Sequence, residues 1–170
     1  RAVTTLTLVV GHRQARYEAG LQWGTTALAV ARRMRADPEA EALALDALGL
    51  VLQGKGDLPT ALAHHRRAAE IKERIFGPDH PGVADSLNAS GAVLLTQGKV
   101  EPALADVRRA ADIRERALGP GHPEVAASLQ IIGLALESQG KLPEALDVYL
   151  RGLEIYERAL GPDHPNVAVS

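Results

Sequence analysis

The sequence repeats itself every 42 residues, and this period constrains the fold more than any other feature. A segment built from glycine, proline and histidine recurs at that offset, at 77–81, 119–123 and 161–165. The offset also relates glycine, leucine, alanine and isoleucine positions along the chain: Gly49, Gly91 and Gly133; Leu52, Leu94 and Leu136; Ala61, Ala103 and Ala145; Ile71, Ile113 and Ile155. A fixed period of this length is typical of arrays whose units pack on their neighbours. We therefore expect stacked units and not one globular domain.

Each unit predicts two helices. Leu87 and Gly91 lie four residues apart and so share one helical face. Asp79 or His80 can cap the free amides at the start of that helix, which begins with a proline. Gly98 ends the first helix, and the second continues to the next Gly-Pro pair. The whole chain is accordingly predicted to be all-α.

Glycines inside the first helices indicate a close helix crossing. Glycine in a helix interior costs about 1 kcal/mol relative to alanine, yet it recurs at one register in Gly49, Gly91 and Gly133. We expect no room for a Cβ there, with small partners supplied by the second helices: Ala61, Ala103 and Ala145. Packing of this kind does not need large rings, which fits an aromatic content of only 3%.

The residues that carry the repeat resemble a known family. The run at 140–146, Gly-Lys-Leu-Pro-Glu-Ala-Leu, and the run at 158–165, Arg-Ala-Leu-Gly-Pro-Asp-His-Pro, look like tetratricopeptide repeats. The 42-residue period resembles the kinesin-light-chain subtype, which is also found in bacterial multidomain signalling proteins. The resemblance implies a right-handed superhelix, an α-solenoid of antiparallel helix pairs. Its concave groove, lined by the first helices, would hold peptides or protein segments.

The repeat register also predicts how the chain is divided. We expect a single array over 1–170, with a degenerate unit at about 1–34, three units at 35–76, 77–118 and 119–160, and part of another at 161–170. Terminal repeats normally carry a polar outer face, and neither end of this sequence does. We therefore expect a piece of a longer protein whose raw ends can pair between copies.

Chemistry-bearing residues follow the repeat and do not form one site. Histidines at 80, 122 and 164, with nearby Asp79, Asp163 and serines, superficially offer a Ser/His/Asp set. Catalysis needs one constellation with supporting partners, whereas these residues recur once per unit. His64 and His65 lack a third ligand at metal-binding spacing, and no phosphate-binding loop is present. The sequence thus predicts no catalytic residue, no metal and no cofactor.

Charge and composition narrow the class of partner. The chain has 19 basic and 21 acidic side chains, a net charge of -2, and paired arginines at 66–67 and 108–109 that neighbouring acids balance. A nucleic-acid binder would need a basic footprint, so we expect none, and no apolar run is long enough to span a membrane. The absence of cysteine excludes disulfides, and we expect a cytoplasmic location.

Groove positions that differ between units are the candidate ligand contacts. Asp46, Asn88 and Gln130 share one register and are polar in every unit. Side-chain amides can bond an extended peptide backbone as donor and acceptor, and Asn88 resembles a peptide-holding asparagine of kinesin-light-chain repeats. An equally weighted alternative is that these are solvated polar positions. The candidate set is Asp46, Leu50, Gln53, Asp85, Asn88, Ala92, Leu95, Gln130, Leu134 and Glu137.

These observations favour a non-enzymatic module that binds proteins or peptides. Leu50, Ala92 and Leu134 stand where carboxylate-clamping tetratricopeptide domains carry asparagine, which disfavours an acidic chaperone C-terminus as ligand. The leading hypothesis is the sensor or scaffold part of a larger bacterial regulatory protein beside a nucleotide-switched domain. One alternative is a free-standing adaptor that resembles the kinesin light chain. Another is the repeat domain of an enzyme whose active site lies outside this sequence.

Overall fold

The computed structural model describes residues 17–33 and 37–161. Within these ranges the chain is built from seven helices and contains no strand. The helices are α1 Tyr17–Arg33, α2 Pro38–Lys55, α3 Leu58–Phe76, α4 Pro81–Thr96, α5 Val100–Leu118, α6 Pro123–Ser138 and α7 Leu142–Leu160. No helix in the described ranges is long and apolar enough to cross a membrane.

Short-range sequence signals set the helix ends. His80 precedes α4 and its Nδ1 accepts a hydrogen bond from the Gly82 backbone N–H at 3.1 Å. His122 caps α6 in the same way, through the N–H of Glu124 at 3.3 Å. The prediction of an Asp79 or His80 cap is therefore confirmed in favour of the histidine. Gly98 follows α4 with a φ of 73°, a left-handed value that suits glycine.

The helices pair as the 42-residue period predicts. Helices α2 and α3, α4 and α5, and α6 and α7 pack as pairs, and each second helix also packs on the first helix of the next pair. Helix α1 packs on α2 and takes the position of a second helix. Buried alanine, valine, leucine and isoleucine fill the layers between helices. The fold is an all-α solenoid of helix pairs, as expected.

The helix glycines adjoin larger residues than the predicted alanines. A Cβ added to Gly49 would lie 2.6 Å from the His65 ring, and one added to Gly133 would overlap the Tyr149 ring. At Gly91 the nearest atom belongs to Val107, while the Ala103 carbonyl oxygen would lie 3.3 Å away. The predicted alanines are buried on the second helices, but only Ala103 is among the nearest neighbours of its glycine, and at Gly49 and Gly133 the nearest atoms belong to His65 and Tyr149. The glycines make room for one variable side chain per pair.

Contacts between pairs show which side of the array is the inner one. Helix α4 comes within 8 Å, between Cα atoms, of both α2 and α6. Among the described residues, no such approach joins α3 to α5 or α5 to α7. First helices therefore lie closer together than second helices, so the array curves with its first helices inside.

Candidate peptide-binding face

The predicted groove residues lie together on the inner side of the array. We call this surface the inner face; its members lie on three successive first helices and are half-buried or exposed: Asp46, Leu50 and Gln53 on α2, Asp85, Asn88, Ala92 and Leu95 on α4, and Gln130, Leu134 and Glu137 on α6. Spacings of three and four residues keep them on one side of each helix. The opposite sides of these helices are buried against second helices.

Much of the inner face is apolar. Leu50, Ala92 and Leu95 are half-buried, and Leu134 is 50% exposed. Leu95 also packs on the buried cluster that includes Leu104 and Val107 of α5. The face offers a ligand an apolar surface with polar groups at intervals, the usual composition of a binding site.

Asp46 is committed to internal partners. One carboxylate oxygen lies 2.9 Å from His65 Nδ1, and the other accepts from Lys72 Nζ and from Ser86 Oγ, each at 2.7 Å. Burial alone would raise the pKa of the Asp46 carboxyl, but the hydrogen bond from His65 and the charge of Lys72 hold it below its ordinary value. An ionised Asp46 makes His65 Nδ1 the donor. The carboxylate therefore serves mainly to join helices α2, α3 and α4.

The Asp46 network contains groups that elsewhere perform catalysis, but they are inaccessible here. Ser86 Oγ lies 2.9 Å from Lys72 Nζ, a pairing seen in some serine hydrolases. Ser86, Lys72 and His65 are all buried, and the serine residue has no solvent-exposed surface. A nucleophile must contact its substrate. The arrangement is therefore a structural junction between the first two pairs.

The next junction has a cation and a serine at the same repeat positions, but its carboxylate comes from a different position. Arg114 lies 42 residues after Lys72 and is likewise buried. Its Nη1 donates to Ser128 Oγ at 2.8 Å and to the Glu124 carbonyl oxygen at 3.0 Å, while Nη2 donates to Asp85 at 2.8 Å. The Asp85 side chain remains 55% exposed. Asp85 therefore presents part of its carboxylate to the inner face, unlike Asp46.

Asn88 and Gln130 occupy the register of Asp46 on the next two first helices. Both are half-buried on the inner face. The Asn88 Oδ1 atom is buried and has no hydrogen-bond partner among the described residues. Farther along α6, Glu137 accepts a hydrogen bond from the Tyr149 hydroxyl at 3.2 Å. The burial of Tyr149, together with this bond, raises the pKa of that phenol.

The sequence patterns did not predict the roles of Lys72 and Arg114. The signal was present, since the 42-residue offset relates Lys72 to Arg114 and Ser86 to Ser128. It was weak because the next position in the register is Tyr156. The length of these two side chains also mattered, because only in the folded chain do they reach the first helix of the next pair.

The other candidate catalytic residues serve in helix capping and in packing. His80 and His122 bond backbone amides, so they do not join Ser86 or Ser128 in a triad. Residues His164, Asp163 and Ser170 lie outside the described part of the chain. Within that part, no group of three His, Cys, Asp or Glu side chains is placed to hold a metal ion.

Three arginines of the second helices form ion pairs with glutamates that also lie on second helices. Arg109 pairs with Glu73 at 2.5 Å, and Arg151 pairs with Glu115 at 2.6 Å. These two bridges repeat at the 42-residue offset and tie successive second helices together. Arg67 pairs with Glu70 at 2.8 Å within α3. These arginines on the outer side are thus each paired with a carboxylate.

Comparison with known proteins places this architecture in a family. The protein-family model named Tetratricopeptide repeat matches residues 39–116 and 90–158. A protein from Podosopora anserina, named as a kinesin light chain with nearly identical TPR-like repeats, aligns over 99% of this chain and 80% of its own, with 17% identity and a TM-score of 0.81. BtubC (BKLC) from P. vanneervenii aligns over 95% of this chain and 66% of its own, with 19% identity and a TM-score of 0.79.

No curated protein sequence gives a significant match. The structural likenesses, at these identities, show the fold. The family model covers more than half of the sequence, and repeats of this family act as scaffolds for protein–protein interaction. The chain belongs to the tetratricopeptide repeat family.

Proposed function

We propose that the inner face holds an extended peptide segment of a partner protein and that the chain itself is not an enzyme. The observation that carries this proposal is the continuous strip of half-buried apolar and amide side chains on α2, α4 and α6. Asn88 and Gln130 bring amides to the centre of that strip. The backbone carbonyl groups of an extended peptide can accept hydrogen bonds from the NH₂ groups of such amides, which is the contribution open to Asn88 because its Oδ1 atom is buried.

Alanine substitution at two amides tests the proposal. Asn88→Ala combined with Gln130→Ala should weaken a ligand selected from a peptide array by roughly tenfold or more, since each lost hydrogen bond is worth about 0.5–1.5 kcal/mol. Arg67→Ala on the outer side is the matched control, because Arg67 lies on the second helix α3 and pairs with Glu70 of the same helix. Loss confined to the Arg67 variant would move the site to the second helices.

We further propose that the chain is the sensor or scaffold part of a larger bacterial regulatory protein, located in the cytoplasm. Its support is the resemblance to repeats of bacterial multidomain signalling proteins, together with the likeness in fold to BtubC. The alternatives are a free-standing adaptor like the kinesin light chain and the repeat domain of an enzyme. Pairing of chain ends between copies also stays a prediction.

The reading frame around this sequence separates these settings. A phosphate-binding loop sequence in the same frame would support the signalling parent. A heptad pattern would instead favour the adaptor. Purified chain should show no hydrolase or transferase turnover; turnover lost on mutating His80 or His122 would contradict the scaffold proposal.

A further inference from the structure

Charge is distributed unevenly between the two sides of the array. Helices α4 and α6 contain three carboxylates, Asp85, Glu124 and Glu137, and neither contains a lysine or an arginine. From residue 37 to residue 161 every arginine lies on a second helix. The inner face around Asn88 and Gln130 is therefore built on acidic helices.

The cationic side chains that extend from second helices to first helices do not reverse the negative charge of the inner face. Lys72 is buried and satisfied by Asp46 and Ser86. Arg114 is buried and is shared between Asp85 and Glu124. The one guanidinium thus contacts two of the three carboxylates on α4 and α6. The third, Glu137, accepts a hydrogen bond from the neutral phenol of Tyr149.

An apolar strip with an excess of carboxylates selects its partner by charge as well as by shape. Like charges brought together at an interface disfavour binding, whereas complementary potentials speed association and fix register. Carboxylates at the exposed margin of an apolar surface attract lysine or arginine side chains whose stems can lie along that surface. An acidic segment would meet repulsion, because the ten residues that define the inner face include no lysine or arginine.

We infer that the inner face takes an extended peptide segment that combines apolar side chains with lysine or arginine and that it rejects acidic segments. This inference rests on the proposed peptide-binding function and specifies the chemistry of the partner. Basic side chains would approach Glu137 and the exposed part of Asp85. Apolar side chains would cover Leu95 and Leu134.

Two pools of short synthetic peptides test the inference on the full chain. Both pools share randomised apolar and amide positions and blocked termini; one carries two lysines and the other two glutamates at the same places. Fluorescence anisotropy should show the lysine pool binding roughly tenfold more tightly, since each exposed charge contact contributes up to about fivefold. Added salt should weaken the lysine pool.

Two matched variants test whether the carboxylate that attracts the lysine pool lies on the inner face or on the outer side. Glu137→Gln keeps an acceptor for Tyr149 and should weaken the lysine pool about two- to fivefold. Asp112→Asn removes one exposed carboxylate from α5, on the outer side, and should leave binding unchanged. Thermal unfolding of both variants checks that the fold is retained.

Each remaining outcome has a defined meaning. Tighter binding of the glutamate pool, still lost in the Asn88 and Gln130 variant, would overturn this inference and leave peptide binding at the inner face in place. Equal loss from Glu137→Gln and Asp112→Asn would also overturn it. Absence of binding by both pools would contradict the proposed function, and the inference with it.

Discussion

Lys72 on α3 and Asp46 on α2 form an ion pair of 2.7 Å, and both side chains also bond Ser86 on α4. Three helices from two successive pairs thus meet at one buried junction. At the next junction Arg114 and Ser128 occupy the registers of Lys72 and Ser86, and Asp85, which lies three residues before the register of Asp46, supplies the carboxylate. The stack is joined by polar contacts at these points and by apolar packing elsewhere.

Lys72→Met should destabilise the chain by about 3 kcal/mol, because it leaves the Asp46 carboxylate largely buried without its cation. This free energy is at the lower end of the cost of breaking a buried ion pair, since the Asp46 side chain is 18% exposed. Urea unfolding followed by circular dichroism measures the change. Combining Lys72→Met with Asp46→Leu should recover most of the loss; a double variant as unstable as Lys72→Met would contradict the ion-pair account.

The junction should also make stability depend on acid pH. The folded pKa of Asp46 is lowered from its ordinary 3.8, so its contribution is fully present above that value. The contribution is lost as the pH falls through the folded pKa, below 3.8, because the unfolded chain then binds the proton more readily. Urea midpoints measured from neutral to strongly acid pH should fall more steeply for the native chain than for Asp46→Asn. Parallel curves would rule out this role.

Two glycine substitutions should change stability in opposite directions. Gly91→Ala places a methyl group against Val107 and 3.3 Å from the Ala103 carbonyl oxygen, so it should destabilise by about 1–3 kcal/mol. Gly152→Ala meets nothing closer than Leu129 Cβ at 3.7 Å, so it should stabilise by about 0.4–1 kcal/mol. Thermal unfolding distinguishes them, and Val107→Ala should relieve the Gly91→Ala defect. A stable Gly91→Ala chain would refute the close crossing.

Removing a histidine cap should weaken the connection between pairs. His80→Ala deprives the Gly82 N–H of its acceptor and also removes the stack on Phe76, whose ring centroid lies 4.4 Å away. We expect a loss of about 1 kcal/mol, typical of an N-cap. His80→Asn restores a capping acceptor and should recover part of it. Identical stability for the alanine and asparagine variants would show that the ring stack, and not the cap, is the source.

The sequence period was enough to predict the helix pairs and their packing order, because each signal acts within a few residues. Capping by His80 is such a signal, as is the helix end at Gly98. The partner of Gly49 was predicted wrongly because His65 reaches it only through the crossing geometry. The commitment of Asp46 to Lys72 was missed for a similar reason, since those residues meet across two helices and belong to positions that vary between units.

Side-chain amide signals give the most direct test of peptide binding at the inner face. The ¹⁵N-labelled chain would be titrated with the tightest-binding peptide from either pool and followed by heteronuclear NMR. Our account predicts that the side-chain NH₂ signals of Asn88 and Gln130 shift together with backbone signals of α4 and α6. Shifts confined to the second helices around Arg67 and Arg109, with both amides unchanged, would contradict it.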